Sequence, residues 1–397
     1  MIKIILFFAF SFSAHAQNAH IPFARTLLEG AVEYDYYTDY FKTTATVNSA
    51  GEKTTLSSDL SYQKLDFGVN GRYGFTSELE GVIGVNGRYI QSNVEFNNEV
   101  LGYTKSGLES VIVGVKYGFK EEDSTRYAIE GWYKQAMHSN SFYEGSEEPS
   151  TIALGDDGKD MAIGLSFYTR TKSLNFIEGR VLYRNPGADL SSEVLSHVQF
   201  STVWKYFALN LGVENVYSLK GDAYTGEEDQ KPVIYAGTTS TVNSINRQWT
   251  APYIEMNLAL GREWRIETQF AQVYTGVSTD LGPRISVHLI KRKEESKAFA
   301  KLDSQFKEYT IEGSVTKLSK SKKVAVADIG LQSGLEVGMS VDFYYFDYVG
   351  GNELIAKGSV LKVKATQSII AIQKKYGRRR VDVGTVVRAN EVSSQSN

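Results

Sequence analysis

The sequence predicts an all-β chain: an antiparallel transmembrane β-barrel of about twelve strands followed by a small β domain. Two observations carry the first part. Twelve stretches alternate apolar and polar residues, and the links between them alternate short and long. A strand has a side-chain period of two, so such a stretch makes one oily face and one wet face. Alternating link lengths are what a chain threading back and forth through a bilayer as a closed barrel requires. Composition agrees: Gly (35) and Tyr (25) are plentiful and Pro (6) is scarce among 397 residues, which suits long uninterrupted ladders. After residue 16 no run of about 18 apolar residues occurs, which excludes a helical membrane protein.

The strands are expected at roughly 27–46, 58–74, 79–96, 106–119, 126–140, 158–170, 174–186, 193–204, 207–220, 246–261, 264–277 and 282–291. The pattern is clearest in Leu79–Tyr89, where Leu79, Gly81, Ile83, Val85, Gly87 and Tyr89 alternate with Glu80, Gly84, Asn86 and Arg88. Tight links are expected at 75–78, 120–125, 171–173, 205–206 and 262–263, and longer ones at 47–57, 97–105, 141–157 and 221–245. The link 278–281 is short although it belongs to the long set. Outward stripes are Val111, Val113, Val115, Tyr117 and Phe119, then Phe207, Leu209, Leu211 and Val213. Two more are Ile254, Met256, Leu258 and Leu260, and Ile285, Val287 and Leu289. Trp204, Phe207 and Trp264 sit beside short turns, the place of an interfacial girdle. Two neighbouring strands share a hexapeptide, Gly68-Val69-Asn70-Gly71-Arg72-Tyr73 and Gly84-Val85-Asn86-Gly87-Arg88-Tyr89. Hairpin duplication, packing of small residues beneath a lumenal arginine, and a binding site are the readings; packing is preferred.

The N-terminus is expected to be a secretory signal over residues 1–16. Lys3 supplies the charge, Ile4–Phe12 the apolar run, and Ala14-His15-Ala16 the small-x-small cleavage site. No cysteine follows, or occurs anywhere, so the fold needs a closed hydrogen-bond ladder rather than disulfides.

The inward face carries charge of both signs. The expected lumen-lining residues are Glu33, Lys64, Asp66, Arg72, Glu80, Arg88, Lys116, Glu130, Lys134, Arg170, Glu178, Arg180, Glu214, Glu255, Glu267 and Arg284, with Asp35 and Arg265 on the same faces. Charges inside a lipid-exposed shell must meet water or opposite charges. Either a water-filled pore selects solutes with them, or a cross-lumen network closes a narrow barrel. Eight strands are filled by side chains and sixteen leave a channel, so twelve decides nothing by itself.

No catalytic, cofactor-binding or metal-ligating residue is assigned, and an enzyme is not expected. Ser286 and His288 share a face, and Ser139 follows His138, but a nucleophilic pair also needs an orienting group and an oxyanion hole. The Ser286–His288 spacing is similar to that of outer-membrane phospholipases, with the order reversed and the face lumenal. The acidic tips Asp156-Asp157-Gly158-Lys159-Asp160 and Glu227-Glu228-Asp229 are read as solvated surface rather than calcium loops.

A linker is expected over 292–307 and a periplasmic small β domain over 308–390, with strands at 310–318, 323–328, 339–348, 353–364, 368–374 and 381–388 and a turn around Leu335. From Ser296 onward 16 Lys and Arg stand against 10 Asp and Glu, +6, whereas the preceding part carries −9. The densest basic patch is Lys374, Lys375, Arg378, Arg379 and Arg380. Export argues against nucleic acid; anionic lipid, peptidoglycan or an envelope protein are the expected partners, and a merely solvated hairpin tip fits equally.

Two resemblances follow from these residues. Asp280-Leu281-Gly282-Pro283-Arg284-Ile285-Ser286-Val287 resembles the insertion signal in the last strand of bacterial outer-membrane barrels, without the terminal aromatic and at an internal position. It implies a porin-like barrel over 26–291 in the cell outer membrane, bathed by outer-membrane lipid. The segment Gly330-Leu331-Gln332-Ser333-Gly334 through Met339, with Val383-Gly384-Thr385-Val386-Val387, is similar to small barrel-like modules of envelope and flagellar assembly proteins; its Gly-Leu-x-x-Gly element also occurs in PDZ domains. The expected function is a narrow pore for small hydrophilic solutes. The alternative is an anchor that presents the C-terminal module to the cell wall or an envelope complex.

Overall fold

A computed structural model describes residues 22–27, 29–122, 125–141, 151–172, 175–187, 189–204, 207–222, 224, 230–231, 234–260, 263–293, 309–347, 351–376 and 380–390. The signal-like segment, the expected linker from residue 294 on and Glu227–Asp229 lie outside them, and Arg292 and Lys293, expected in the linker, belong to the last barrel strand. Twelve antiparallel strands form the first body: β1 (Val32–Lys42), β2 (Ser61–Gly74), β3 (Leu79–Phe96), β4 (Glu99–Glu122), β5 (Thr125–Ala136), β6 (Lys159–Lys172), β7 (Asn175–Asn185), β8 (Glu193–Val203), β9 (Phe207–Ser218), β10 (Gln248–Leu260), β11 (Trp264–Val273) and β12 (Thr279–Lys293). Each pairs with its neighbour in sequence, and β1 pairs with β12 from Val32↔Lys293 to Phe41↔Arg284, which closes the barrel.

Alternation sets the two faces. Ile83, Val85, Val113, Val115, Ile163, Leu165, Leu211, Met256 and Leu258 are exposed on the outside, whereas Glu33, Glu80 and Glu178 are at most 3% exposed inside. An apolar outer band around a polar interior is the inverse of a soluble barrel and suits lipid outside.

Three strand expectations are corrected. Residues 27 and 29–31 do not extend β1: Leu27 N–H bonds Glu80 inside the barrel, and Gly30 and Ala31 bond Gly74 at the end of β2. Residues 97–105 are not a long loop, because Asn97 and Asn98 both take positive φ (52° and 66°). They make a two-residue hairpin turn that lets β3 and β4 pair out to Phe96↔Glu99. The last strand begins at Thr279, three residues early, where Thr279–Leu281 pairs with Ala45–Val47 from the link after β1.

The shared hexapeptides face one another. Gly68 opposes Asn86 and Asn70 opposes Gly84; Asn70 leans over Gly84, whereas the Tyr37 ring covers Gly68. A Cβ on Gly84 would lie 2.1 Å from Asn70 Oδ1, and one on Gly68 would lie 2.5 Å from the Val85 carbonyl oxygen and 2.8 Å from the Tyr37 ring. Tyr37 in turn donates to Asn86 Oδ1 at 2.5 Å. The repeat therefore does packing work beneath Arg72 and Arg88.

The second body is a closed six-stranded barrel of β13 (Ile311–Leu318), β14 (Val324–Ala327), β15 (Ser340–Asp347), β16 (Gly351–Val363), β17 (Ser368–Lys375) and β18 (Val386–Ala389), in the order β13-β14-β17-β16-β15-β18. Val341, Phe343, Ile355, Ile370 and Val387 fill it, and Leu335, in the expected turn, is fully buried among them. The last strand starts at Val386 rather than 381. Thr385 N–H bonds the Asp382 carbonyl at 3.0 Å, Asp382 N–H bonds Thr385 Oγ1 at 2.9 Å, and Gly384 at φ 86° completes a turn.

Candidate functional site

The barrel interior is the site, and it is built in three levels. At the short-turn end, residues 22–27 cross the lumen. Phe23 N–H donates to Glu178 Oε2 on β7 (2.9 Å), and the Phe23 ring lies 4.5 Å from that of His197 and 5.3 Å from the Arg180 guanidinium. Ala24 is fully buried among Tyr168, Phe176 and Val203. Thr26 Oγ1 donates to the Ser77 carbonyl and accepts from Arg126, both at 2.7 Å. Leu27 N–H donates to Glu80 Oε2 on β3 at 2.8 Å. Those contacts run from one wall to the other. Arg25 is buried, 5.3 Å from the ring of Tyr345 in the second barrel.

Just above it Arg72 bridges Glu33 on β1 (2.6 Å) and Glu80 (2.7 Å), with Lys116 Nζ 3.6 Å from Glu80. Arg265 pairs with Glu267 at 2.6 Å, and Glu255 accepts from Asn210 at 2.6 Å.

The middle level is a ladder of alternating charge. Asp66 on β2 takes Lys64 (3.2 Å) and Arg88 of β3 (2.5 Å). Glu109 of β4 lies 3.8 Å from Arg88 and 3.2 Å from Lys134 of β5. Asp160 of β6 lies 3.8 Å from Lys134 and 2.7 Å from Arg184 of β7. Glu193 of β8 takes Arg184 (3.0 Å) and Arg247 (2.6 Å), and Arg247 ends on Asp156 at 2.7 Å. Five cations and five carboxylates alternate without interruption. On the other wall Arg284 of β12 pairs with Asp39 (2.6 Å) and reaches Glu214 of β9 (2.9 Å).

At the long-loop end two loops fold inward. Residues 151–158 place Ile152 and Leu154 against Tyr62 and Ile90, and the Leu154 carbonyl accepts from Arg88 at 2.9 Å. Residues 234–247 tie Thr238 to Ser61, Ser92 and Asn93, and Thr239 and Ser240 to Asp280. Asn243 N–H donates to Asp156 Oδ1 at 2.6 Å. Burial alone would raise the Asp156 pKa, but the Arg247 charge and the Asn243 N–H outweigh it and hold the carboxyl at about 2. The Asp156–Asp160 tip is thus corrected from solvated surface to part of the lumen.

Beneath these loops lies a cavity of about 390 Å³. Lys64, Asp66, Arg88, Arg184 and Arg284 line it together with Phe41, Trp249 and Val273.

The expected lumen residues fall inside the barrel, except that the side chain of Arg170 lies outside the described residues. Lys374, Lys375 and Arg380 are exposed on the second barrel, and Arg378 and Arg379 lie outside the described residues. Ser286 and His288 do not form a nucleophilic pair: Ser286 donates to Asp39 (2.8 Å) and His288 bonds Asp35 (2.9 Å). Sequence reading missed Asp39, Asp160, Arg184 and Glu193, which alternation alone would have placed inward. Glu109 carried no such signal, because a β-bulge opposite Asn86 and Gly87 turns it inward against the alternation. Asp156 and Arg247 come from loops.

No protein-family model and no curated protein sequence matches the chain. Among solved structures it is similar to an outer-membrane channel from Pseudomonas putida F1, at 10% identity and TM-score 0.49, over 69% of this chain and 99% of that one. It is also similar to the NanC porin (9%, TM-score 0.37, 66% and 100%) and to the translocator domain of the autotransporter NalP from Neisseria meningitidis (9%, 0.36, 66% and 88%).

Proposed function

We propose that this chain is an outer-membrane channel for small hydrophilic solutes, closed in this conformation by its own N-terminal segment and inward loops. One observation carries the reading. From Asp66 to Glu193 the ladder's ion pairs join neighbouring strands along the wall, so the charged lining satisfies itself and leaves the axis to whatever enters. Most of what crosses the lumen belongs to inserted chain: Phe23 and Leu27 from the N-terminus, Asp156 and Arg247 from the loops. A barrel evolved only to be shut by its walls would place such pairs across the axis instead.

By the usual orientation of such barrels the short turns face the periplasm. Residues 1–16 then serve as the export signal, the 22–27 segment closes the periplasmic mouth, and the basic second barrel lies on the periplasmic side. Anionic lipid, peptidoglycan or an acidic envelope protein suits its charge.

The anchor reading has one observation in its favour: the Arg25 guanidinium beside Tyr345 links the inserted segment to the second barrel. Single-channel recording of the full chain and of a chain ending at Lys293 separates the two. Discrete steps in either form establish a channel, and steps in the shortened form alone make the second barrel its gate. Silence from both, with the barrel shown to be folded, leaves the anchor.

A further inference from the structure

The cavity beneath the loops is lined by two kinds of residue. Strands β2 to β7 contribute Lys64, Asp66, Arg88, Glu109, Lys134 and Arg184. Strands β1, β10 and β11 contribute Phe41, Trp249 and Val273, and Phe41 and Trp249 pack against the buried cluster of Ala45, Val47, Ala251, Val273 and Leu281. The lining therefore combines a row of fixed donors and acceptors with an aromatic and aliphatic patch, beside which stand Asp39, Asp280 and Arg284.

The charged wall is balanced. Its five cations each lie within 4 Å of a ladder carboxylate, and the five carboxylates are each held by two cations except Asp156, which is held by Arg247 and a backbone N–H. A solute with net charge that faces the ladder meets only paired charges there and loses its own hydration; Asp280, which also lines the cavity, is held by the Thr43 and Thr239 hydroxyls and the Ser240 N–H. A neutral solute with many hydroxyls loses less, because each hydroxyl can donate to a carboxylate and accept from a guanidinium. One donor is left over: Arg247, whose side chain is 7% exposed, has no hydrogen-bond partner for Nη2 among the described residues, and Arg247 lines the cavity.

We propose that this cavity is a binding site for a neutral mono- or disaccharide. A pyranose ring has an apolar C–H face and a rim of hydroxyls, which matches the Trp249 and Phe41 rings and the charged ladder of the same cavity, and a cavity of about 390 Å³ is within the size range of small-molecule sites. The ring lies on Trp249, and the hydroxyls exchange hydrogen bonds with Asp66, Arg88 and Arg184 and accept from Arg247 Nη2. The inference rests on the lumen being open to solute, as in the channel reading.

The test is tryptophan fluorescence of the full folded chain titrated with glucose, sucrose, glucuronate and glucosamine. Glucose or sucrose is expected to change the spectrum saturably, with glucuronate and glucosamine at least tenfold weaker. Trp249→Phe should abolish the spectral change, and Trp249→Ala should abolish sugar binding itself, read by saturation-transfer NMR on the sugar. Lys134→Met leaves Glu109 and Asp160 short of one cation and should shift preference toward glucosamine, an effect that a merely destabilised barrel would not produce. No saturable response to either neutral sugar, or equal affinity for the charged ones, overturns the proposal. Current steps without sugar binding remove this site and leave the channel; sugar binding in a silent barrel upholds the site and removes the channel.

Discussion

Replacing Arg72 by Met takes the only basic partner within 4 Å, among the described residues, away from Glu33 and one of two away from Glu80. Glu33 and Glu80 are 1% and 3% exposed, so neither gains water in exchange. Breaking a buried pair by removing one partner costs about 3–5 kcal/mol. Glu80 keeps Lys116 at 3.6 Å and the Leu27 N–H at 2.8 Å, and Arg72 itself is 20% exposed, which places the loss at the lower end, about 3 kcal/mol. That is roughly a hundredfold in the folding equilibrium. Urea unfolding in phospholipid vesicles, followed by the mobility difference between folded and heated protein on gels, reads it. The triple variant Glu33→Gln, Arg72→Met, Glu80→Gln removes all three charges and should recover to within about 1 kcal/mol of the parent, since a buried triad is worth little net when replaced whole. A loss below about 1 kcal/mol for Arg72→Met would refute the reasoning, because the two glutamates would then be solvated or otherwise paired.

Three further outcomes follow. Gly68→Ala should destabilise the barrel more than Gly84→Ala, within the range of about 1–3 kcal/mol for overpacking. The added methyl meets a backbone carbonyl at 2.5 Å in the first case, and the ends of movable side chains in the second; the same urea assay checks the order. Asp156 is lowered from 3.8 to about 2, so its tie to Arg247 is fully present above about pH 4 and lost as pH falls through about 2. Loop closure should therefore be unchanged from pH 5 to 8 and weaken only in strong acid, which the pH dependence of conductance would show. Leu335→Ala should lower the stability of the second barrel by about 2–5 kcal/mol while leaving the gel mobility of the twelve-stranded barrel unchanged, as calorimetry of the full chain can separate.

The barrel was legible in the sequence because lipid outside and charge inside impose a strict period of two. Strand β3 came out at 79–96 to the residue, and the inward glutamates and arginines fell on the expected face. Three kinds of feature were hidden. Asn97 and Asn98 close a tight hairpin through left-handed backbone angles, a property that a polar stretch shares with any loop. Glu109 faces inward only because a bulge shifts the parity of β4, and nothing local marks that bulge. The inserted N-terminal segment and the loops around Asp156 and Arg247 take their positions from pairs such as Ser240 with Asp280, Leu27 with Glu80 and Thr238 with Ser61, 40 to 177 residues apart. No periodicity reports such contacts. The second barrel was read less sharply at its end, where Val381, Val383 and Thr385 alternate with Asp382 and Gly384 as a strand would, and Gly384 at φ 86° makes a turn instead.

The most direct measurement is single-channel conductance of the full chain beside a variant in which residues 22–29 are replaced by glycine and serine at the same length. The substitution removes the Phe23, Thr26 and Leu27 contacts that cross the lumen and leaves every strand and the charged ladder in place. If inserted chain, rather than the wall, closes the barrel, the variant gives discrete current steps that are larger or more frequent than those of the parent. Equal silence from both, with each barrel shown to be folded in the bilayer, would contradict it.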